Sequence, residues 1–283
     1  AASACPQIVE VALATTNQLC ERIGENQACY GHVLVDALPQ EHVQLENFSF
    51  SREGDIAELL DLKTIRLSPM DLENGLWGVA LMSLRAYMRY ASPQLVTFLL
   101  FGDVEISDRA ERTPTIDVTV ATSTPVNVRL GPSPDVGVIG ILQPGQTVSA
   151  KARLADNSWL RVALPESNRI GWTYAANLTT DEDINSLPVV DTWAPYYGPM
   201  QAFYFRSGVD DAACPESPES GLLIQTAEGV AEVTLLVNEV SIQMSATVYL
   251  QAVPGRQMTV GVLDGWAVVE ASGRQQPVFA GTQ

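Results

Sequence analysis

His32 and His42 are the only imidazoles in the 283-residue chain. Any Ser-His-Asp or Cys-His catalytic set therefore has to be built around one of them, near the start of the sequence. The run Cys29-Tyr30-Gly31-His32 has a spacing that metal sites use, yet no second close Cys/His pair completes a tetrahedral set. The acid pairs Asp71 and Glu73, and Asp103 and Glu105, are the residue types of a glycosidase, although acids this close together are more often solvated surface. A Gly-x-Ser-x-Gly elbow, a His-Glu-x-x-His helix and a phosphate-cradling glycine loop are all absent. The expectation is a protein without catalytic, cofactor-binding or metal residues. Calcium is the one cofactor option: Asp181, Glu182 and Asp183, or Asp210 and Asp211, supply loop carboxylates without the EF-hand spacing.

Charge narrows the partners. Thirty-three acidic against 16 basic residues give a formal net charge of -17 and a pI near 4.4. That balance argues against nucleic acid and anionic lipid, which are gripped by clustered Lys and Arg. The start Ala1-Ala2-Ser3-Ala4-Cys5, with small residues and no Met, reads as a mature chain whose secretion signal has been removed. The longest apolar run, residues 95–101, is far shorter than the ~18 residues of a membrane span. A secreted protein at the exterior or surface of a bacterium is the expectation.

Four cysteines, Cys5, Cys20, Cys29 and Cys214, read in an exported chain as two disulfides. Residues 6–22 have a helical pattern, with Pro6 in the first turn, Gly24 after the end and a stripe of Ile8, Ala12, Thr16, Leu19 and Ile23. On that helix Cys5 and Cys20 would lie about 22 Å apart, which excludes a bridge between them. Two schemes survive: Cys20–Cys29 with Cys5–Cys214, which is favoured, and Cys5–Cys29 with Cys20–Cys214. An intermolecular Cys214 bridge stays open as well.

The elements that must position these residues are mostly strands. After the helix, residues 33–35, 43–50, 64–67, 76–88 and 95–101 are short apolar runs separated by polar, Gly or Pro breakers. In the middle, Val126-Asn127-Val128-Arg129-Leu130-Gly131-Pro132 leads through Val138-Ile139-Gly140-Ile141-Leu142 and a Pro144-Gly145 turn to Trp159-Leu160-Arg161-Val162 and Ile170-Gly171-Trp172-Thr173. Short alternating strands with this punctuation read as a small antiparallel barrel. From residue 181 to 221 the chain is rich in proline and aromatics, a connection more suited to packing across a domain surface or a neighbouring subunit than to a loose tether. Residues 222–224, 232–237, 240–244, 247–252, 258–263 and 266–269 alternate again as strands.

The order of elements from Val126 to Leu178 resembles the bacterial SH3-like (SH3b) family, whose members typically bind or organise material at the cell envelope. Ala28-Cys29-Tyr30-Gly31, Leu67-Ser68-Pro69-Met70, Trp77-Gly78-Val79-Ala80-Leu81 and Thr97-Phe98-Leu99-Leu100-Phe101-Gly102-Asp103 look like an N-terminal domain that precedes SH3b modules in exported proteins of filamentous bacteria. The tail Met258-Thr259-Val260-Gly261-Val262-Leu263-Asp264-Gly265-Trp266-Ala267-Val268-Val269, with Gly281, resembles a FecR-type extracytoplasmic domain. Together these imply a mainly β, multi-domain chain: a helix plus β-sheet domain over 1–112, an SH3-like barrel over 113–180, a Pro/aromatic-rich connector over 181–221, and a FecR-like β-sandwich domain over 222–283.

Two uses of the aromatics follow. Trp172 and Tyr174, with Trp159 nearby, are candidates for a groove that grips an extended peptide; the competing reading is that Trp159 and Trp172 close the barrel's core and rim. Trp193, Tyr196, Tyr197, Phe203, Tyr204 and Phe205 are candidate assembly contacts. The leading functional expectation is a non-enzymatic secreted structural subunit that associates with copies of itself in a filament, sheath or surface layer. The alternative is an envelope adaptor whose barrel binds peptidoglycan or a surface-protein peptide. An enzyme or enzyme-accessory protein is the third.

Overall fold

The structure, a computed structural model, describes residues 5–88, 93–110, 114–165, 169–208, 217–227 and 232–282. Among the described residues the α-helix α1 (Cys5–Leu19) comes first. Seven strands follow: β1 (Gln27–His32), β2 (Val35–Pro39), β3 (Ile56–Glu58), β4 (Leu62–Leu67), β5 (Val79–Ala86), β6 (Gln94–Phe101) and β7 (Val104–Asp108). Next come β8 (Ile116–Val120), β9 (Val126–Arg129), β10 (Val138–Leu142), β11 (Thr147–Arg153), β12 (Trp159–Ala163), β13 (Ile170–Tyr174) and β14 (Leu178–Thr179). The last are β15 (Ala202–Ser207), β16 (Gly221–Thr226), β17 (Val233–Val237), β18 (Val240–Gln251), β19 (Thr259–Ala271) and β20 (Arg274–Phe279). The expected mainly β class with an N-terminal helix is what is found.

The linear order of blocks is not. The chain divides into a larger unit, residues 1–86, 94–110 and 197–283, and a smaller one, residues 87–93 and 111–196. In the larger unit the N-terminal and C-terminal strands share one sheet, ordered β2-β4-β7-β15-β17-β18-β16-β6-β5-β1-β3, with β19 on β18 and β20 on β19. The expected separate sandwich over 222–283 is therefore corrected. Strand β16 lies antiparallel to β6 from Gly221↔Phe101 to Thr226↔Val96, and β15 to β7 from Phe203↔Asp108 to Ser207↔Val104. The physical reason is that β6 offers a strand edge and an apolar face that the first block alone cannot cover. Phe98 of β6 and Phe203 of β15, both buried, meet edge-on at 5.6 Å in the interior.

Helix α1 buries Cys5, Ile8, Ala12 and Thr16, a stripe at helical spacing. Its upper part packs with Met70, Trp77, Val79 and Phe101. Cys20, just past its end, is bonded to Cys29 of β1, with Cα atoms 5.8 Å apart. That removes the alternative scheme. Cys5 is disulfide-bonded and buried, whereas Cys214 lies outside the described residues.

The smaller unit is one sheet ordered β10-β9-β13-β12-β11-β8-β14. Leu142 of β10 and Val120 of β8, near opposite ends of that order, share a core with Val128, Val148, Leu160 and Val162, so the sheet curls around it. Gly171 makes that curl close: a Cβ there would come within 2.6 Å of Ile139 and Val128 and 2.9 Å of the Arg129 carbonyl oxygen.

Candidate binding face on the smaller unit

Strand alternation builds the face. Leu160 and Val162 of β12 point into the core, so Trp159 and Arg161 point away from it. The register pairs Trp159 with Tyr174 and Arg161 with Trp172 across β13, which gathers the three aromatics singled out in the sequence onto one surface. Trp159 and Tyr174 meet edge-on at 5.6 Å. Arg161 lies over the Trp172 ring, 4.8 Å from its centre.

Half of this surface is already occupied by the chain itself. Past a short turn over Ile184–Ser186, Leu187 plugs the core. Arg153 N–H then donates to Pro188 O and Val190 N–H to Arg153 O, both at 3.0 Å. The strap continues to the cation–aromatic pair: Arg161 donates through Nη2 to Ala194 O at 2.6 Å and through Nη1 to Pro195 O at 3.4 Å. Beyond it, Tyr196 packs edge-on against Tyr87 at 4.7 Å. Arg161 and Trp172 are left 4% and 3% exposed. Burial pushes the Arg161 guanidinium down to about 10, against the pull of Tyr196. Burial, then Tyr87, pushes the Tyr196 phenol up to about 12. At neutral pH the arginine is charged and the tyrosine neutral.

Trp172 is thus a covered wall and not an open one, a correction to its role in a free groove. Tyr174, 47% exposed, and half-buried Trp159 stay accessible. The connector is also divided: it belongs to the smaller unit through Tyr196 and to the larger unit from Tyr197.

The candidate assembly aromatics separate in the same way. Phe203 and Phe205 alternate inward on β15 and are buried, so they cannot serve as contacts. Tyr196 is committed to Tyr87, and Tyr197 is half-buried, with burial raising its phenol. Tyr204 is surface-facing, donates to Glu239 Oε1 at 2.7 Å and carries Arg109 over its ring at 4.6 Å. Trp193 is exposed beside Gly131.

The residues that could do chemistry are held in structural pairs. His32 Nδ1 is 2.5 Å from Glu53 Oε1, and His42 Nε2 is 3.3 Å from Asp61 Oδ1. Neither ring bonds a serine or cysteine among the described residues, and the Cys29 sulfur is taken by Cys20. Asp71 accepts the backbone N–H groups of Glu73 and Asn74 and an amide hydrogen of Asn74, which hold its carboxyl low. Glu105 lies between Arg66 and Arg206 on neighbouring strands; Asp103 donates its N–H to Ser220 Oγ at 2.7 Å. Glu182 accepts Asp117 N–H and Asp183 caps the Ile184–Ser186 turn. With Asp181 beside them, no group of three potential metal ligands forms among the described residues. Asp210 and Asp211 lie outside those residues.

Arg161 and Tyr87 are the members of the face that sequence reading missed. The signal was there for Arg161: a lone charge between two core residues of a strand, two positions from a tryptophan. No family model, no curated protein and no solved structure matches the chain.

Proposed function

We propose that this protein is a non-enzymatic structural subunit of an extracellular or cell-surface assembly, built on copies of itself. The smaller unit reads as an SH3-like barrel whose aromatic face holds its own connector and not a wall peptide. The observation that carries this is that Ala194 and Pro195 accept the hydrogen bonds of Arg161, itself stacked on Trp172, so the chain's own connector takes up that part of the aromatic face. What remains open on the smaller unit is apolar and suited to protein contact: Val138 and Ile141 are each about half exposed. The disulfide between Cys20 and Cys29 fits an oxidising exterior. Sedimentation and electron microscopy of the native protein over a concentration range test the reading, which requires self-association.

A further inference from the structure

The two sheets end, among the described residues, on β2, β3 and β20 in the larger unit and on β10 and β14 in the smaller. A free strand edge is a template for another strand, and proteins that do not use an edge blunt it. Most of these are blunted. On β20, Ala280 N–H donates to Gly265 O, so the amide positions of Gln275, Pro277 and Phe279 face outward, and the last two are blocked. Pro277 has no N–H, and Phe279 N–H is taken by Thr282 Oγ1 at 3.0 Å, while Thr282 Oγ1 donates to Phe279 O at 2.6 Å. On β2, Ser68 N–H donates to Leu34 O, which turns Val35, Ala37 and Pro39 outward, so that Ala37 alone, beside the charged Asp36, keeps an outward N–H. Val35 N–H is taken by Tyr30 Oη at 2.9 Å, and Pro39 has none to offer. Strands β3 and β14 are three and two residues long.

Strand β10 carries no such device. Leu130 N–H donates to Gly137 O, and the register Gly140↔Val128 and Leu142↔Val126 leaves the N–H and C=O of Ile141 on the open side. Its five residues, Val138-Ile139-Gly140-Ile141-Leu142, include no charge and no proline. Val138 and Ile141 are 48% and 54% exposed. Two guanidiniums back it: Arg129 donates to Val136 O at 2.8 Å and Arg169 to Ile139 O at 3.3 Å.

We propose that β10 is the self-association edge of this protein and that its occupant is β10 of a second copy, paired antiparallel across a two-fold axis. Copies with a net charge of -17 repel wherever acidic surfaces meet. The uncharged, arginine-backed strand adds no negative charge of its own to such a contact. An uncharged strand pairing with itself gives the same patch on both subunits, as a two-fold contact requires. The inference rests on the self-association reading above and names its contact.

Sedimentation velocity on the full chain, with amide exchange at Ile141, tests it. The wild type dimerises as concentration rises, and exchange at Ile141 slows in step. Ile141→Lys, and Ile141→Pro, which removes the outward N–H without touching a β9 bond, weaken dimerisation at least tenfold while unfolding stays cooperative. Phe279→Lys on β20 leaves dimerisation unchanged. Association that survives both Ile141 variants, or Ile141 exchange that ignores concentration in an associating protein, overturns the β10 proposal alone. A wild type that is monomeric at every concentration overturns it together with the assembly reading.

Discussion

Arg161 stacks on Trp172 with its guanidinium carbon 4.8 Å from the ring centre, on a strand face that points away from the core, and both side chains are nearly inaccessible. An outward face is buried only if something covers it. Here the cover is the chain's own residues 187–196, held by two hydrogen bonds from that guanidinium.

Arg161→Ala should release the strap. Two charge-assisted hydrogen bonds and the ring contact are lost, a cost of about 3 kcal/mol in denaturant unfolding. Limited proteolysis should then cut within residues 188–196, which resist it in the wild type. Arg161→Lys recovers less than half of the loss, because an ammonium cannot fork to two carbonyls while lying flat on an indole.

Glu105 makes stability depend on acid. Burial raises its carboxyl, but hydrogen bonds and charge from Arg206 and Arg66 outweigh burial and leave it below the ordinary 4.5. A carboxyl lowered in the folded state contributes stability that is complete above its unfolded value and is lost as pH falls through the folded one. Thermal unfolding from pH 7 to pH 2 should therefore show the melting temperature of Glu105→Gln below wild type at neutral pH, and the gap closing below about pH 4.

Thr173 is fully buried opposite Leu160, and its hydroxyl has no hydrogen-bond partner in the structure. Thr173→Val keeps the shape and removes the unsatisfied group, so it should stabilise the smaller unit by about 1 kcal/mol. Denaturant midpoints at unchanged slope are the check.

Reduction of Cys20–Cys29, nine residues apart, removes a loop constraint worth about 2–3 kcal/mol. Non-reducing peptide mapping should recover that bridge together with Cys5–Cys214; a free thiol at Cys214 would refute the second pairing.

Local pattern in the sequence was a good guide wherever one element decides the outcome. The helix stripe at Ile8, Ala12 and Thr16 and the turn-spanning Cys20–Cys29 bond both depend on neighbours close in the chain. Partnership between distant segments was not legible. Nothing in Leu222-Leu223-Ile224 announces Leu100, Leu99 and Phe98 as partners, and so the first and last blocks read as separate domains. The aromatic connector illustrates the same limit: Phe203 and Phe205 alternate inward because β7 places β15 in the sheet, a fact that composition does not contain. Trp159, Trp172 and Tyr174 stand on the paired strands β12 and β13, but the strap that covers Trp172 comes from more than twenty residues later in the chain.

Sedimentation velocity of the native chain over a wide concentration range decides whether copies of this protein join, as proposed above. Its mass should grow with concentration and fall back in Ile141→Lys. A single monomeric species at the highest concentration would contradict it.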